Sequence, residues 1–196
     1  MTAARLILAS ASPIRAKILR QAGLAFTVQK TGVDEAAIKT RLAGQTTDRI
    51  AMALAEEKAL AIKDAKALVI GADQILEYRR RPYDKPRSRL EARQRLMTLQ
   101  GKRHVLVNAM AVTKAGRVVF RNLERPALYF REMSEREIDG YLDAAGEQTL
   151  DSVGAYQIEG LGATLVERIR GDYFAVLGLS LFPLLAFLRS EGLEAY

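Results

Sequence analysis

Ala67-Leu68-Val69-Ile70-Gly71-Ala72-Asp73-Gln74 is the stretch of this 196-residue chain that decides its fold. Its first six residues are apolar or small without alternation, the pattern of a strand buried on both faces rather than of a sheet with one wet side. Such a strand needs neighbours in a sheet and helices over both faces. The apolar run stops at Asp73-Gln74, and Ile75 to Tyr78 continues the sheet. Asp73 is therefore expected at the carboxyl end of the apolar strand, where open α/β sheets bind ligands and mount catalytic groups.

Working outward, Leu6-Ile7-Leu8-Ala9 reads as another buried strand. Ser12-Pro13 then supplies an N-cap and a proline at the first helical position, predicting a helix to about Ala22. Phe26 to Gln29 suggests a strand, and Thr47 is a cap for a helix to about Ala65 with Ile50, Leu54, Ala61 and Ile62 on one face. The segment between them is irregular or briefly helical. Arg79-Arg80-Arg81-Pro82 reads as a solvated basic turn. The pairs Ser88/Glu91 and Ser134/Glu137 have capping-box spacing, opening helices to about Leu99 and Ala144. Val105 to Thr113 and Val118 to Phe130 predict long strands joined around Gly116, and Ala163 to Ile169 a last strand before a terminal helix. With no repeat or linker, residues 1–196 form one α/β or mixed α+β domain, an arrangement that admits two lobes about a shared sheet.

Composition bounds the chemistry. At 49% hydrophobic and 27% charged, the chain is a folded globular protein with one substantial core. Its formal charge of +7 attracts polyanions: nucleic acid, anionic lipid or nucleotide phosphates. The absence of cysteine excludes disulfides, thiolate zinc sites and cysteine nucleophiles, and a solitary His104 cannot build a multi-histidine centre. Any metal must rest on carboxylates. Met1 to Ala11 lacks the apolar stretch of a secretory signal. Val176 to Leu188, interrupted by Ser180 and Pro183, falls short of the roughly 20 residues a membrane span requires. A cytoplasmic location with no membrane partner is expected.

Several residues stand where ligand chemistry is easily built. Ser10-Ala11-Ser12-Pro13-Ile14-Arg15 joins a buried strand to a helix start, bringing hydroxyls, free N–H groups and a guanidinium to the positive end of a helix dipole. The plainer alternative is a capping Ser12 and a solvated Arg15. Lys58 lies at i+4 from Leu54 and i+8 from Ile50, a cation on the apolar stripe, to be explained by snorkelling or by a nearby anion. Glu35, after Val33-Asp34, offers with Asp73 two carboxylates for a hard divalent cation, while Asp34 itself suits a helix cap. Lys85, restrained before Pro86, suits phosphate binding or is simply a loop lysine. Gly154-Ala155-Tyr156-Gln157-Ile158-Glu159-Gly160-Leu161-Gly162 permits close backbone approach to a base, as would a glycine-rich hairpin. His104 begins an apolar strand and reads as structural.

Taken in order, Ser10 to Arg15, Val33-Asp34-Glu35, Glu57-Lys58-Ala59, Gly71-Ala72-Asp73-Gln74, Asp84-Lys85-Pro86 and Tyr156-Gln157-Ile158-Glu159-Gly160 resemble the Maf family of nucleotide pyrophosphatases. Gly171-Asp172-Tyr173 and Val176-Leu177-Gly178-Leu179 extend the likeness towards the end of the chain. The resemblance implies an extended twisted mixed sheet flanked by helices, two lobes around a cleft as in inosine triphosphate pyrophosphatases, and a homodimer in many members. It implies hydrolysis of a nucleoside triphosphate to the monophosphate and pyrophosphate. Ser10, Ser12, Arg15, Lys58 and Lys85 would contact the triphosphate, Asp73 would accept the proton, and Glu35 with Asp73 would hold Mg²⁺ or Mn²⁺. Gln74 and Glu159, where thymidine/uridine triphosphatases of the family carry threonine and glutamine, resemble the 7-methyl-GTP subgroup. Ile14 departs from the arginine of the first subgroup and the aromatic residue of the second, and Ser180 replaces a usual proline. The alternatives are a dTTP/UTP pyrophosphatase and a basic nucleic-acid-binding protein using the Arg79 to Arg81 turn.

Overall fold

The computed structural model describes residues 5–193. Strands β1 (Arg5–Leu8) and β2 (Thr27–Val28) flank helix α1 (Pro13–Gln21), and helices α2 (Glu35–Arg41) and α3 (Thr47–Leu60) lead to β3 (Ala67–Tyr78). After β4 (Arg81–Tyr83) come α4 (Arg89–Leu99), β5 (Arg103–Lys114), β6 (Arg117–Glu124), β7 (Ala127–Phe130) and α5 (Glu135–Ala145). Two 3-10 turns then precede β8 (Val166–Arg170), α6 (Tyr173–Val176) and α7 (Leu181–Ser190). The mixed α/β architecture is the one the sequence predicts.

One sheet runs β2-β1-β3-β5-β7-β8, with β4 added to β3 and β6 to β5. β1 is parallel to β2 and β3, and every other pairing is antiparallel. One edge of β3 is shared: β1 covers Ala67 to Ile70 and β4 covers Leu76 to Tyr78. Between them, residues 71–75 have no strand on that side, so the sheet carries a notch in its edge. The other edge of β3 is paired with β5 from Leu68 to Glu77.

Alternation along β3 sorts the core. Val69 and Ile75 face α3, joining clusters with Ile50, Ala51, Leu54 and Ala59. On the opposite face, Leu68, Ile70 and Ala72 pack with Leu19 and Leu184, whereas Leu76 packs with Leu96, Ile138 and Leu142. Two cores thus share one sheet face, and polar Gln74 and Asn108, paired across β3 and β5, stand at the boundary. This is the two-lobed plan.

Several boundaries differ from expectation. Thr46, not Thr47, caps α3, accepting from the Arg49 N–H, and the helix ends at Leu60 rather than near Ala65. Asp64 accepts from the Lys66 N–H, a local turn that competes with helix continuation. The strand expected at Phe26 to Gln29 is only Thr27–Val28. Val118 to Phe130 is two strands broken at Arg125-Pro126, and from Phe120 onward both keep one register on β5, with a bulge before it between Val112 and Thr113. Arg81 and Pro82 belong to β4, so the turn is Arg79-Arg80 alone. Ser134 and Glu137 complete their capping box, but Glu91 accepts from the Arg87 N–H instead of closing one with Ser88. Leu161–Leu165 is a 3-10 turn, leaving Val166–Arg170 as the last strand.

Candidate active site

Asp73 lies in the middle of a continuous twelve-residue strand, not at its carboxyl end as its sequence position suggested. The strand that does end here is β1, and Asp73 faces the notch left beyond it. The correction keeps the chemistry and moves its cause: a parallel strand stops while its neighbour runs on.

Three segments meet at the notch. Lys58, from the last turn of α3, is only 9% exposed, and its Nζ lies 2.7 Å from Asp73 Oδ1 and 2.8 Å from Glu35 Oε1. The lysine on the apolar stripe is therefore explained by two anions rather than by snorkelling. Gly71 allows α3 this close: a Cβ there would sit 2.1 Å from the Ala55 carbonyl oxygen. Glu35 reaches the cluster as the first residue of α2, whose cap is Asp34, accepting from the Ala37 N–H at 3.0 Å. Burial alone would raise the Glu35 carboxyl. The hydrogen bond and charge of Lys58, with Lys39 and Arg15 behind it, outweigh that and hold its pKa below the ordinary value.

Arg15 closes the β1 side. It is buried, donating from Nε to the Gly178 carbonyl at 2.7 Å and from Nη1 to Ser10 Oγ at 3.0 Å and the Ala72 carbonyl at 2.9 Å. The last bond caps a strand carbonyl that faces the notch. Burial lowers the Arg15 pKa, and the charges of Asp73 and Glu35 oppose the shift, so guanidinium and carboxylates share one electrostatic site. Ser12 occupies the N-cap position of α1, but its hydroxyl caps nothing; its backbone N–H donates to Ser10 Oγ at 3.3 Å. Ile14 is half-buried against the core beside α1.

The remaining candidates flank the notch or stand apart. Lys85 follows β4 and is exposed; its neighbour Asp84 is ion-paired to Lys39 of α2. Gln74 turns to the opposite face, donating to the Ala175 and Val176 carbonyls at 2.9 and 3.1 Å. Glu159 is exposed on the glycine-rich turn and, among the described residues, makes no hydrogen bond or ion pair to the cluster. Tyr156 is buried instead, 2.7 Å from His104 Nε2. Burial lowers the His104 pKa to about 3, so it is a neutral structural residue.

A family model described as Maf-like protein matches residues 5–191. The chain belongs to the Maf family. Maf relatives align over almost their whole length. The "Nucleoside triphosphate pyrophosphatase" of Paramagnetospirillum magneticum is 46% identical over 190 residues, 95% of this chain and 98% of that protein. The protein of the same name from Bradyrhizobium diazoefficiens is 46% identical over 192 residues, 97% and 95% of the two chains. The "7-methyl-GTP pyrophosphatase" of Rhizobium meliloti is 44% identical over 191 residues, 95% and 96% of the two chains. The family resemblance carried by the six motifs is thus borne out.

Reading motifs one by one missed two parts of this Maf site. Gly178 supplies a carbonyl to Arg15, and at φ 101° a Cβ there would lie 3.4 Å from Arg15 Nε. Nothing local to Val176-Leu177-Gly178-Leu179 signals that contact, because the partner is 163 residues away. Asn108 and Ser180 share a buried hydrogen bond of 3.0 Å beside Gln74, a polar pair hidden in an apolar strand and a helix start.

Proposed function

We propose that this Maf chain hydrolyses a nucleoside triphosphate between the α- and β-phosphates, giving the monophosphate and pyrophosphate. The observation that carries the proposal is the Lys58 ammonium, clasped at 2.7 and 2.8 Å by Asp73 and Glu35 in a sheet notch that Arg15 closes. Lys58 fixes Oδ1 of Asp73, orienting the carboxylate to take a proton from water. The water oxygen bonds to the α-phosphorus, the bond to the bridging oxygen breaks, and pyrophosphate leaves with that electron pair. Lys58, Lys85 and Arg15 stabilise the growing charge on the leaving group, so positioning and electrostatics do most of the catalysis.

Two cations, Arg15 and Lys58, balance two carboxylates, Asp73 and Glu35. A cluster with no net charge attracts a polyanion weakly, which favours a further cation arriving with the substrate. Glu35 and Asp73 are hard oxygen donors of the kind that hold Mg²⁺ or Mn²⁺ jointly with phosphates, and the ion would supply positive charge at the scissile group. Among the described residues no group of three or more acidic or histidine side chains forms a self-sufficient metal cage.

The substrate reading follows from the resemblance of Gln74 and Glu159 to the 7-methyl-GTP subgroup: a carboxylate such as that of Glu159 accepts from guanine N–H groups and favours the positive charge of a methylated ring. Gln74 and Glu159 support 7-methyl-GTP or another modified purine nucleotide over dTTP and UTP. A homodimer in the cytoplasm belongs to the same reading, and light scattering tests the assembly. Among the described residues no helix is long and apolar enough to cross a membrane. The deciding assay is pyrophosphate release from 7-methyl-GTP, UTP, dTTP, CTP and ITP with Mg²⁺ or Mn²⁺. Asp73→Asn should lower kcat about 100-fold or more; near-normal turnover removes Asp73 as the base.

A further inference from the structure

We propose that a second anion site, separate from the notch, lies where the β3–β4 turn meets the start of β5, and that it takes a compact polyphosphate. The recess there has a volume of about 330 Å³ and is lined by Glu77, Arg79, Arg80, Arg103, His104 and Arg125. It shares the α3 face of the sheet with Asp73 but lies four residues further along β3, about 13 Å at the usual strand rise.

Charge is the first argument. Arg125 is satisfied, bound to Asp48 and, at 2.6 Å, to Glu77. Arg79, Arg80 and Arg103 have no carboxylate partner among the described residues, although Arg79 lies over the Tyr78 ring at 5.3 Å. Four guanidiniums against two carboxylates leave an excess of two positive charges. Proximity is the second argument. Arg79 and Arg80 from the β3–β4 turn and Arg103 from the start of β5 line one recess with Arg125. Like charges gathered this way repel unless an anion lies between them.

Backbone conformation is the third. Tyr78 pairs with Arg81, so Arg79-Arg80 is a two-residue hairpin loop, with φ of 51° and 62°. Both values lie in the left-handed region, where a hairpin of this kind favours Asn-Gly and side chains such as arginine are disfavoured. Two arginines thus stand in a backbone conformation that disfavours them. Clustered guanidiniums, with their forked donors, suit phosphate oxygens better than lone surface cations do.

Calorimetric titration of the full chain with inorganic tripolyphosphate, and separately with a non-hydrolysable nucleoside triphosphate, tests the site. Wild type should show one binding event more than the triple variant R79N/R80G/R103S, or that event should weaken at least tenfold. The variant should keep triphosphate hydrolysis and should unfold at no lower temperature, since Asn-Gly suits the turn. Equal weakening for both probes assigns the site to the phosphate chain; a larger loss for the nucleotide adds the nucleoside to what is recognised. Identical isotherms for wild type and variant overturn the proposal. So does single-stranded RNA that displaces tripolyphosphate from the recess and binds it more tightly at equal salt, since the face would then serve nucleic acid. Loss of hydrolysis in D73N alone would leave the recess intact, so the two proposals fail separately.

Discussion

Lys58 is the residue on which fold and chemistry meet. A buried ammonium is costly unless paired, and here two carboxylates share it. Lys58→Met keeps the apolar stem and removes the charge, leaving Asp73 buried near Glu35 without the ammonium that bonds both, and with only the more distant charge of Arg15. Unfolding in urea should show a loss of about 3 kcal/mol, with pyrophosphate release reduced at least as strongly as in the Asp73 variant. A fully active Lys58→Met would place the triphosphate elsewhere. His104 gives a prediction with a pH sign. Its folded-state pKa is lowered from 6.5 to about 3, chiefly by burial and then by Arg103, so between those values the unfolded chain binds the extra proton. Its contribution is complete above pH 6.5 and falls with pH at up to about 1.4 kcal/mol per unit. Replacing His104 with Gln should remove that slope from a series of urea midpoints; an unchanged slope would mean another group titrates. These single residues were legible to different degrees. Lys58 and Asp73 broke the apolar patterns around them, and a broken pattern is visible in one dimension. Gly178 and Asn108 broke nothing, since a glycine and a short amide are common in such segments, and only their distant partners give them meaning.

At the scale of elements, the distance between α3 and β3 sets the site. Gly71 has no room for a methyl group, with Ala55 O, Ala59 N and Ala59 Cβ all within 2.9 Å of an added Cβ, two of the three being backbone atoms. Gly71→Ala must push the helix away from the strand, and Lys58 travels with the helix. Overpacking of this kind costs about 1–3 kcal/mol. The variant should retain a native circular-dichroism spectrum yet lose most of its hydrolysis, whereas normal activity would show that Lys58 tolerates the shift. The β3–β4 turn should respond in the opposite sense. Relieving two left-handed arginines with R79N/R80G should add about 1–2 kcal/mol to unfolding stability. A decrease would mean that the arginines make compensating contacts. Helices and buried strands were readable because caps and apolar runs are local signals. The notch was not, because it depends on where β1 and β4 stop along β3, and strand register is a property of three segments together. Asp73 therefore read as the end of a strand when it is the middle of one.

For the whole molecule, β3 and β5 are the common frame. Each contributes to the core under α1 and α7 and to the core under α4 and α5, through Ile70 and Met110 on one side and Leu76 and Leu106 on the other. Four of the six motifs, far apart in sequence, converge through Arg15, Glu35, Lys58 and Asp73 because these two strands carry or support most of them. A frame that spans both lobes also bears on folding, since neither core can be completed without the strand halves that belong to the other. The chain should therefore unfold as one cooperative unit. Tyr141 and Tyr156 lie in the second core, whereas no tyrosine belongs to the first, and the chain has no tryptophan. Tyrosine fluorescence thus weights the second lobe, which also holds Tyr78 and Tyr83, and far-ultraviolet circular dichroism follows the helices of both. Superimposable urea transitions by the two signals would establish a single domain. Separate midpoints would show that one lobe survives the other, and the notch, which draws Arg15 and Ser10 from one side and Lys85 from the other, would then lose activity at the earlier of the two.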